Sequence, residues 1–444
     1  MRPVYLLIEE INRELLSRIL IGHAAVELGH PVVIGQQWWL VDNLHCLEPG
    51  TILFKGNNRY QAAYMGQAKR FEHATASIDE ESFVSSSSLE ISAQYHASAA
   101  EHCDRILVQG DFQRSVVNEK LPNAGDRLVL TGNPRADILG NPAFTPVDPI
   151  VEEYREAHGD YILVNTNFTK INPRDGDTYE YFELCWRTGV LDLPGVKPVD
   201  WFLDGCKWER ENIRALVALI RQLRERAPTY RIVIRPHPSE RAATWLKRFA
   251  DMEGVDIITG GDHLAWIRQA LVLVHSGCTT GLEAFLMGCP AVSMSPGDKW
   301  WDTGVLSSVV NDIAETPEEA LTIVLDLIAG SERTISRATE RRAALSTFLR
   351  LDEHESSATR IAKVLGALAE DTRPRPAQAA NATPIDRPQS QRMERKAFVT
   401  EDQFRRRLSE VEKCIGAGTQ LTFRALGPSV YQLSDRHGAF ATVI

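Results

Sequence analysis

The first 35 residues restrict this chain to one fold class. Val4 to Ile8 is an apolar run with the length of a buried strand. From Arg13 to about Leu28 apolar residues return every three or four positions, so Leu16, Ile19, Leu20, Ala24 and Leu28 share one helical face. Gly29-His30 stops that helix, and Pro31 to Gly35 reads as the next strand. Two strands joined through one helix pair in parallel, and a parallel sheet has to be covered by helices.

The alternation continues with strands expected at 51–54, 74–78, 105–108 and 128–130. Residues 1–145 are thus expected to form an N-terminal Rossmann-like domain. Three prolines between Pro142 and Pro149 suit an interdomain linker. A second series, 150–368, starts at Tyr161 to Val164, with a clear helix over Glu209 to Arg226 and strands near 231–235, 255–258, 271–274 and 291–293. Helical patterns from Glu318, and from Ile335 to about Leu368, close it. Residues 371–392, rich in Pro, Ala and Gln, are expected to be a disordered linker. A small C-terminal module, 393–444, follows, with a helix at 401–415 and a strand near 421–423. The expected fold class is α/β: two Rossmann-like domains facing across a cleft, plus that module.

Composition removes several function classes. Asp and Glu outnumber Lys and Arg by 59 to 49, for a net charge of −10, which opposes a nucleic-acid binder. Seven widely spaced cysteines without a C-x-x-C pair argue for a reduced, cytoplasmic chain that neither binds zinc nor depends on disulfides. No stretch approaches the ~18 apolar residues of a membrane helix. Residence at the cytoplasmic face of the inner membrane, through assembly proteins or a lipid-linked substrate, stays open.

The chemistry should lie where strands end, because ligands of open α/β sheets bind at the carboxyl edge. Arg235-Pro236-His237-Pro238-Ser239-Glu240 follows one β-branched run, and its prolines hold the turn in extended geometry. Ser276-Gly277-Cys278-Thr279-Thr280-Gly281-Leu282-Glu283 follows another. There Thr280 and Glu283 have the spacing of a capping box, and hydroxyls and small residues at a helix start suit a phosphate. Either feature alone is as readily a helix cap or a satisfied histidine; two at one sheet edge are more specific. Asn165-Thr166-Asn167 belongs to the same expected edge.

In the first half, Asp79-Glu80-Glu81 ends a strand. Adjacent carboxylates raise one another's pKa toward the range of a general base, although a solvated acidic turn has the same appearance. Glu9, Glu10, Arg13 and Glu14 lie at the first strand's end, and Gly132-Asn133-Pro134-Arg135 precedes the linker. Glu10, Arg13, Asn133 and Arg135 are therefore candidates for acceptor or other cleft contacts. Trp38-Trp39 and Trp300-Trp301 could stack on sugars, though buried tryptophans are commoner. No cluster has metal-ligand spacing, so neither metal nor cofactor is expected.

These motifs resemble those of the bacterial surface-carbohydrate glycosyltransferases of GT-B type: the capsule and O-antigen Kdo transferases and, more distantly, the bacterial sialyltransferases. His237-Pro238 is similar to the His-Pro motif contacting the cytidine nucleotide, and Ser276 with Thr279-Thr280 to the Ser/Thr motif binding its phosphate. Asp79-Glu80-Glu81 is similar to the acidic motif, with Ser82 where glycine often stands. Glu10 to Glu14 and Gly132 to Arg135 also resemble this group, and the likeness runs from about residue 4 to about 350. It implies a CMP-activated acidic sugar as donor (Kdo or a related nonulosonate) and a surface polysaccharide or lipid-linked glycan as acceptor. Arg235, Gly277, Glu283, Asn165 and Asn167 would complete the nucleotide site. Glu80, with Asp79 and Glu81, would act as general base in an inverting reaction or as nucleophile in a retaining one. A UDP-sugar or CDP-polyol donor, or a non-catalytic binding role, are the alternatives.

Overall fold

The computed structural model describes residues 1–444 apart from 188–190, 192–194, 298–303, 331–332, 353, 375–382, 388–395, 417–419, 436–437 and 439. The chain folds into two compact units. One comprises Met1–Phe83, Gln94–Phe144 and Ser346–Ile444, the other Val84–Ala93 and Thr145–Leu345.

The first unit holds strands β1 (Val4–Ile8), β2 (Val32–Gln36), β3 (Thr51–Phe54), β4 (Ala74–Ile78), β5 (Arg105–Val108) and β6 (Leu128–Leu130). They pair in parallel in the order β2-β1-β3-β4-β5-β6. The second holds β7 (Tyr161–Asn165), β8 (Arg231–Arg235), β9 (Val255–Ile257), β10 (Val272–His275), β11 (Ala291–Met294) and β12 (Asp312–Ala314). These are all parallel, in the order β12-β11-β10-β7-β8-β9. Both orders are doubly wound. Strand order reverses beside β1 in the first sheet and beside β7 in the second, which marks the carboxyl ends of β1/β3 and of β7/β10 as binding edges. The cores are continuous aliphatic layers, with every residue of β1 and β7 buried, as strands covered on both faces require.

Four expectations about organisation are corrected. Residues 346–368 belong to the first unit, because the apolar face of helix Ser357–Glu370 (Ile361, Ala362 and Leu365, all fully buried) packs on helix Ile11–Glu27. The C-terminal residues are not a separate module. β13 (Leu421–Gly427) and β14 (Val430–Asp435) extend the first sheet, with β14 antiparallel to β2. A Cβ on Gly35 would lie 2.9 Å from a Val430 methyl, so the two strands are fitted to each other. The described part of the expected linker is anchored: Asp386 accepts from Trp39 Nε1 at 2.6 Å, and Ile385 is bonded through its N–H and C=O to the Asn43 side chain. Residues 84–93 also leave the first unit for the second. No described helix is long and apolar enough to cross a membrane.

Candidate functional site

In the first unit the carboxyl ends of β1, β3 and β4 carry interleaved acids and bases. Arg18, although on the buried face of its helix, pairs with Glu80 through Nη1 and Oε1 at 2.7 Å, and neither side chain is more than 1% exposed. Glu80 Oε2 is buried with no partner among the described residues. Glu81 is the accessible member, its side chain 44% exposed, and it faces Arg13 at 3.0 Å and Lys55 at 3.6 Å. Burial pushes the Glu81 carboxyl up, but these two cations outweigh it and hold the group below the usual range.

Lys55 also reaches Glu9 at 2.5 Å, and Lys396 approaches Glu9 at 3.7 Å. Burial lowers the Lys55 pKa less than Glu9 and Glu81 raise it, so the ammonium is retained. Glu14 Oε2 accepts the N–H groups of Glu9 and Glu10 and so ties the end of β1 down. Glu10 caps helix Ile11–Glu27, and burial raises its pKa.

Asp79 is turned inward. Its Oδ1 accepts from Glu81 N–H at 3.0 Å and its Oδ2 from the Ser82 hydroxyl, so both oxygens are committed within its own turn. Burial raises its pKa to about 6. Ser82, standing where the resembled motif has glycine, is therefore the hydroxyl that holds this turn.

Asn133 and Arg135 do not lie open to an acceptor. Asn133 is buried, caps helix Pro134–Leu139 and reaches Gln109 Oε1, while Gln109 Nε2 donates to Ser82 C=O at 2.9 Å. The Arg135 guanidinium covers the Phe83 ring at 4.8 Å. Both residues support the acidic turn from behind. Trp39 is core, 2% exposed. Trp300-Trp301 falls outside the described residues.

In the second unit, β7, β8 and β10 present their polar ends side by side, with Asn165 in register with Arg235. Four buried polar atoms here lack an oxygen or nitrogen partner among the described residues: Asn165 Oδ1, Arg235 Nη1, Ser276 Oγ and Thr280 Oγ1. Buried polar groups are nearly always satisfied, so these four atoms at one sheet edge make it the candidate ligand site of this unit. Asn167, two residues past β7, is half-buried on the same loop.

Arg235 Nη2 donates to Gly261 C=O, and the guanidinium stands over the Trp266 ring. Burial lowers its pKa to about 10, which leaves it charged. His237 Nδ1 accepts from Ser239 N–H at 3.1 Å, and burial holds the ring below its ordinary pKa. The imidazole is thus neutral, with the Nε2–H left to donate. Pro238 is exposed on the same loop.

The Ser276 turn is built differently from the expected capping box. Helix Thr279–Met287 has Cys278 as N-cap with no side-chain cap, and Glu283 instead meets His263 Nε2 at 3.3 Å. Gly277 is left-handed at φ +55°, and its N–H donates to Ser293 Oγ. Cys278 N–H points to Nδ1 of His275, a fully buried ring whose pKa burial lowers to about 3. Gly281 is small because a Cβ there would sit 2.2 Å from His275 Nε2, not to admit a ligand.

Sequence reasoning missed Arg18, Lys55, Lys396, His275 and the part played by Glu240. Lys55 follows β3 directly, so the strand-end rule could have found it. Arg18 sits four residues after Glu14 on an apolar helix face, which is a signal of a buried charge needing a partner. Glu240 gathers donors from Thr166, Phe168, His237 and Trp245, fixing β7's loop to β8's. Among the described residues no His/Cys/Asp/Glu group could hold a metal ion.

No protein-family model and no characterised sequence matches the chain. Solved structures share its fold. UDP-GlcNAc 2-epimerase from Methanocaldococcus jannaschii is 13% identical with a TM-score of 0.52, over 83% of this chain and 100% of that one. The wall teichoic acid polymerase TagF, soaked with CDPG, is 9% identical with a TM-score of 0.51, over 83% of this chain and 89% of that one. The chain thus has an α/β fold of GT-B type, with two Rossmann-like units.

Proposed function

We propose that this chain is a glycosyltransferase that moves a CMP-activated acidic sugar, of the Kdo or nonulosonate kind, onto a surface polysaccharide or lipid-linked glycan. The observation carrying the reading is the set of buried polar atoms without an oxygen or nitrogen partner among the described residues, at and just past the ends of β7, β8 and β10. They comprise one guanidinium, hydroxyls and an amide oxygen, next to a neutral histidine donor. At this edge one cation with neutral donors matches the single phosphate charge of a CMP-sugar better than the two charges of a UDP-sugar's diphosphate, the carboxylate of the acidic sugar being a separate charge away from the phosphate.

In transfer, the acceptor hydroxyl oxygen bonds to the anomeric carbon. The bond from that carbon to the phosphate oxygen breaks with its electron pair, and CMP departs. Ser276, Thr280, Arg235 and the His237 Nε2–H would receive the charge that develops on the phosphate. The hydroxyl proton needs a base, for which the carboxylates at 79–81 are the candidates. Glu80 is the first candidate, since Arg18 fixes one of its oxygens and the other, though buried, has no partner among the described residues. Each Asp79 oxygen already accepts a bond within its own turn, and Glu81 is the second choice.

A UDP-sugar donor is the second reading, favoured by the fold shared with a protein named as a UDP-GlcNAc 2-epimerase. Calorimetric titration with CMP and UDP, followed by a transfer assay with CMP-Kdo, separates the two. Strong UDP binding with none for CMP would overturn the first reading. CMP binding without transfer or donor hydrolysis would leave a non-catalytic nucleotide-binding role.

A further inference from the structure

A basic cavity of about 380 Å³ lies in the second unit between helix Pro198–Arg226 and helix Ala242–Arg248, under the loop that follows β7. Four arginines line it: Arg210, Arg214, Arg241 and Arg248. Its one acidic lining residue, Asp177, spends Oδ1 on the N–H groups of Tyr179 and Glu180. Ile171 and Ile213 form its floor on the hydrophobic core.

Arg210, Arg214 and Arg248 make no ion pair with any described residue, in a chain whose net charge is −10. Arg210 and Arg214 stand four residues apart on one helix face, a like-charge spacing that costs helix stability. Arg241 and Arg248 lie about 10 Å apart along the facing helix. The charge is therefore spread in two rows. No aromatic side chain lines the cavity to stack on a base, and its apolar lining is limited to Ile171, Pro173 and Ile213, too little to enclose an acyl chain.

We propose that this groove binds a carboxylate-bearing oligosaccharide, a run of acidic glycan held by its charges on two sides. The choice of a glycan over other polyanions rests on the glycosyltransferase reading above; the groove itself does not. The groove also shares a wall with the nucleotide loop. Asn172 bonds to Thr244 and to Glu240, and Glu240 holds His237 N–H, so a glycan seated here would brace the loop that meets the donor.

The full chain is titrated with fluorescent hexagalacturonate, with maltohexaose as neutral control, at low and high NaCl. CMP is titrated in the same samples. Binding of the acidic probe alone, weakening with salt, is expected. The exposed double variant R214E/R248E should weaken it by about tenfold or more. CMP affinity and melting temperature should stay unchanged. No binding of hexagalacturonate, or binding that survives R214E/R248E, overturns the proposal. So does single-stranded RNA binding more tightly than the glycan and lost in the same variant. Glycan binding with no CMP binding would sink the donor assignment and leave this site standing.

Discussion

Glu80→Gln tests the acidic network at its most buried point. The pair is 2.7 Å long, with side chains at 0% and 1% exposure. Two unit charges at that separation attract by about 6 kcal/mol at an effective dielectric near 20. Most of this only offsets desolvation, so the net worth of the pair is small. Removing one charge is different, because Arg18 is then left buried and uncompensated, at a cost of about 3–5 kcal/mol. Glutamine keeps the shape and one acceptor, so the lower end, about 3 kcal/mol, is expected. For a unit of this size that is a fall of about 6–12 °C in melting temperature. Transfer should fall by about 100-fold or more if Glu80 takes the proton, with CMP affinity unchanged. Arg18→Lys separates the two effects: it breaks the pair's geometry at a cost in stability but keeps a cation beside Glu80, so the carboxylate stays ionised. Activity is measured well below the melting point of either variant. Equal activity losses in the two would show that Glu80 acts only through the fold. A Glu80→Gln protein with wild-type melting and full transfer would refute both the pairing energy and the catalytic role.

Asp79→Asn should stabilise the protein at neutral pH. The Asp79 pKa, raised by burial from 3.8 to about 6, makes a contribution that is fully present below 3.8 and lost as pH rises through about 6. That loss is worth about 3 kcal/mol at pH 7. Urea denaturation across pH should show the variant's advantage vanishing in acid; an advantage independent of pH would contradict the assignment. His237→Ala should weaken CMP binding by roughly ten- to a hundredfold through loss of one charge-assisted hydrogen bond, measured by calorimetry, with an unchanged melting temperature. Truncation at residue 371 should not leave a stable core, because β14 buries Val430 and Leu433 against β2. Burial of two such side chains is worth about 3–6 kcal/mol, so aggregation or loss of the cooperative transition is expected. A monodisperse truncated protein with wild-type melting would contradict that.

Hydrophobic periodicity alone determined the parallel α/β class, the strands from β1 to β11 and the helix at 401–415, because strand and helix periods are local properties of the chain. The rule that polar residues at strand ends form the site likewise placed Asp79, Glu80, Arg235, His237 and Ser276 correctly at sheet edges. Their individual roles were not local. Asp79 became a turn-former and Glu80 a paired group with a free oxygen because Ser82 and Arg18, distant in function or in sequence, claimed particular lone pairs. Gly281 was small for His275, and Asn133 was polar for a helix cap; both are packing facts that no spacing reveals. The C-terminal strands and helix were periodic enough to detect, but nothing in their own residues says which sheet they join. Edge pairing is set by complementary surfaces, here Val430 against Gly35, and only the assembled sheet contains both.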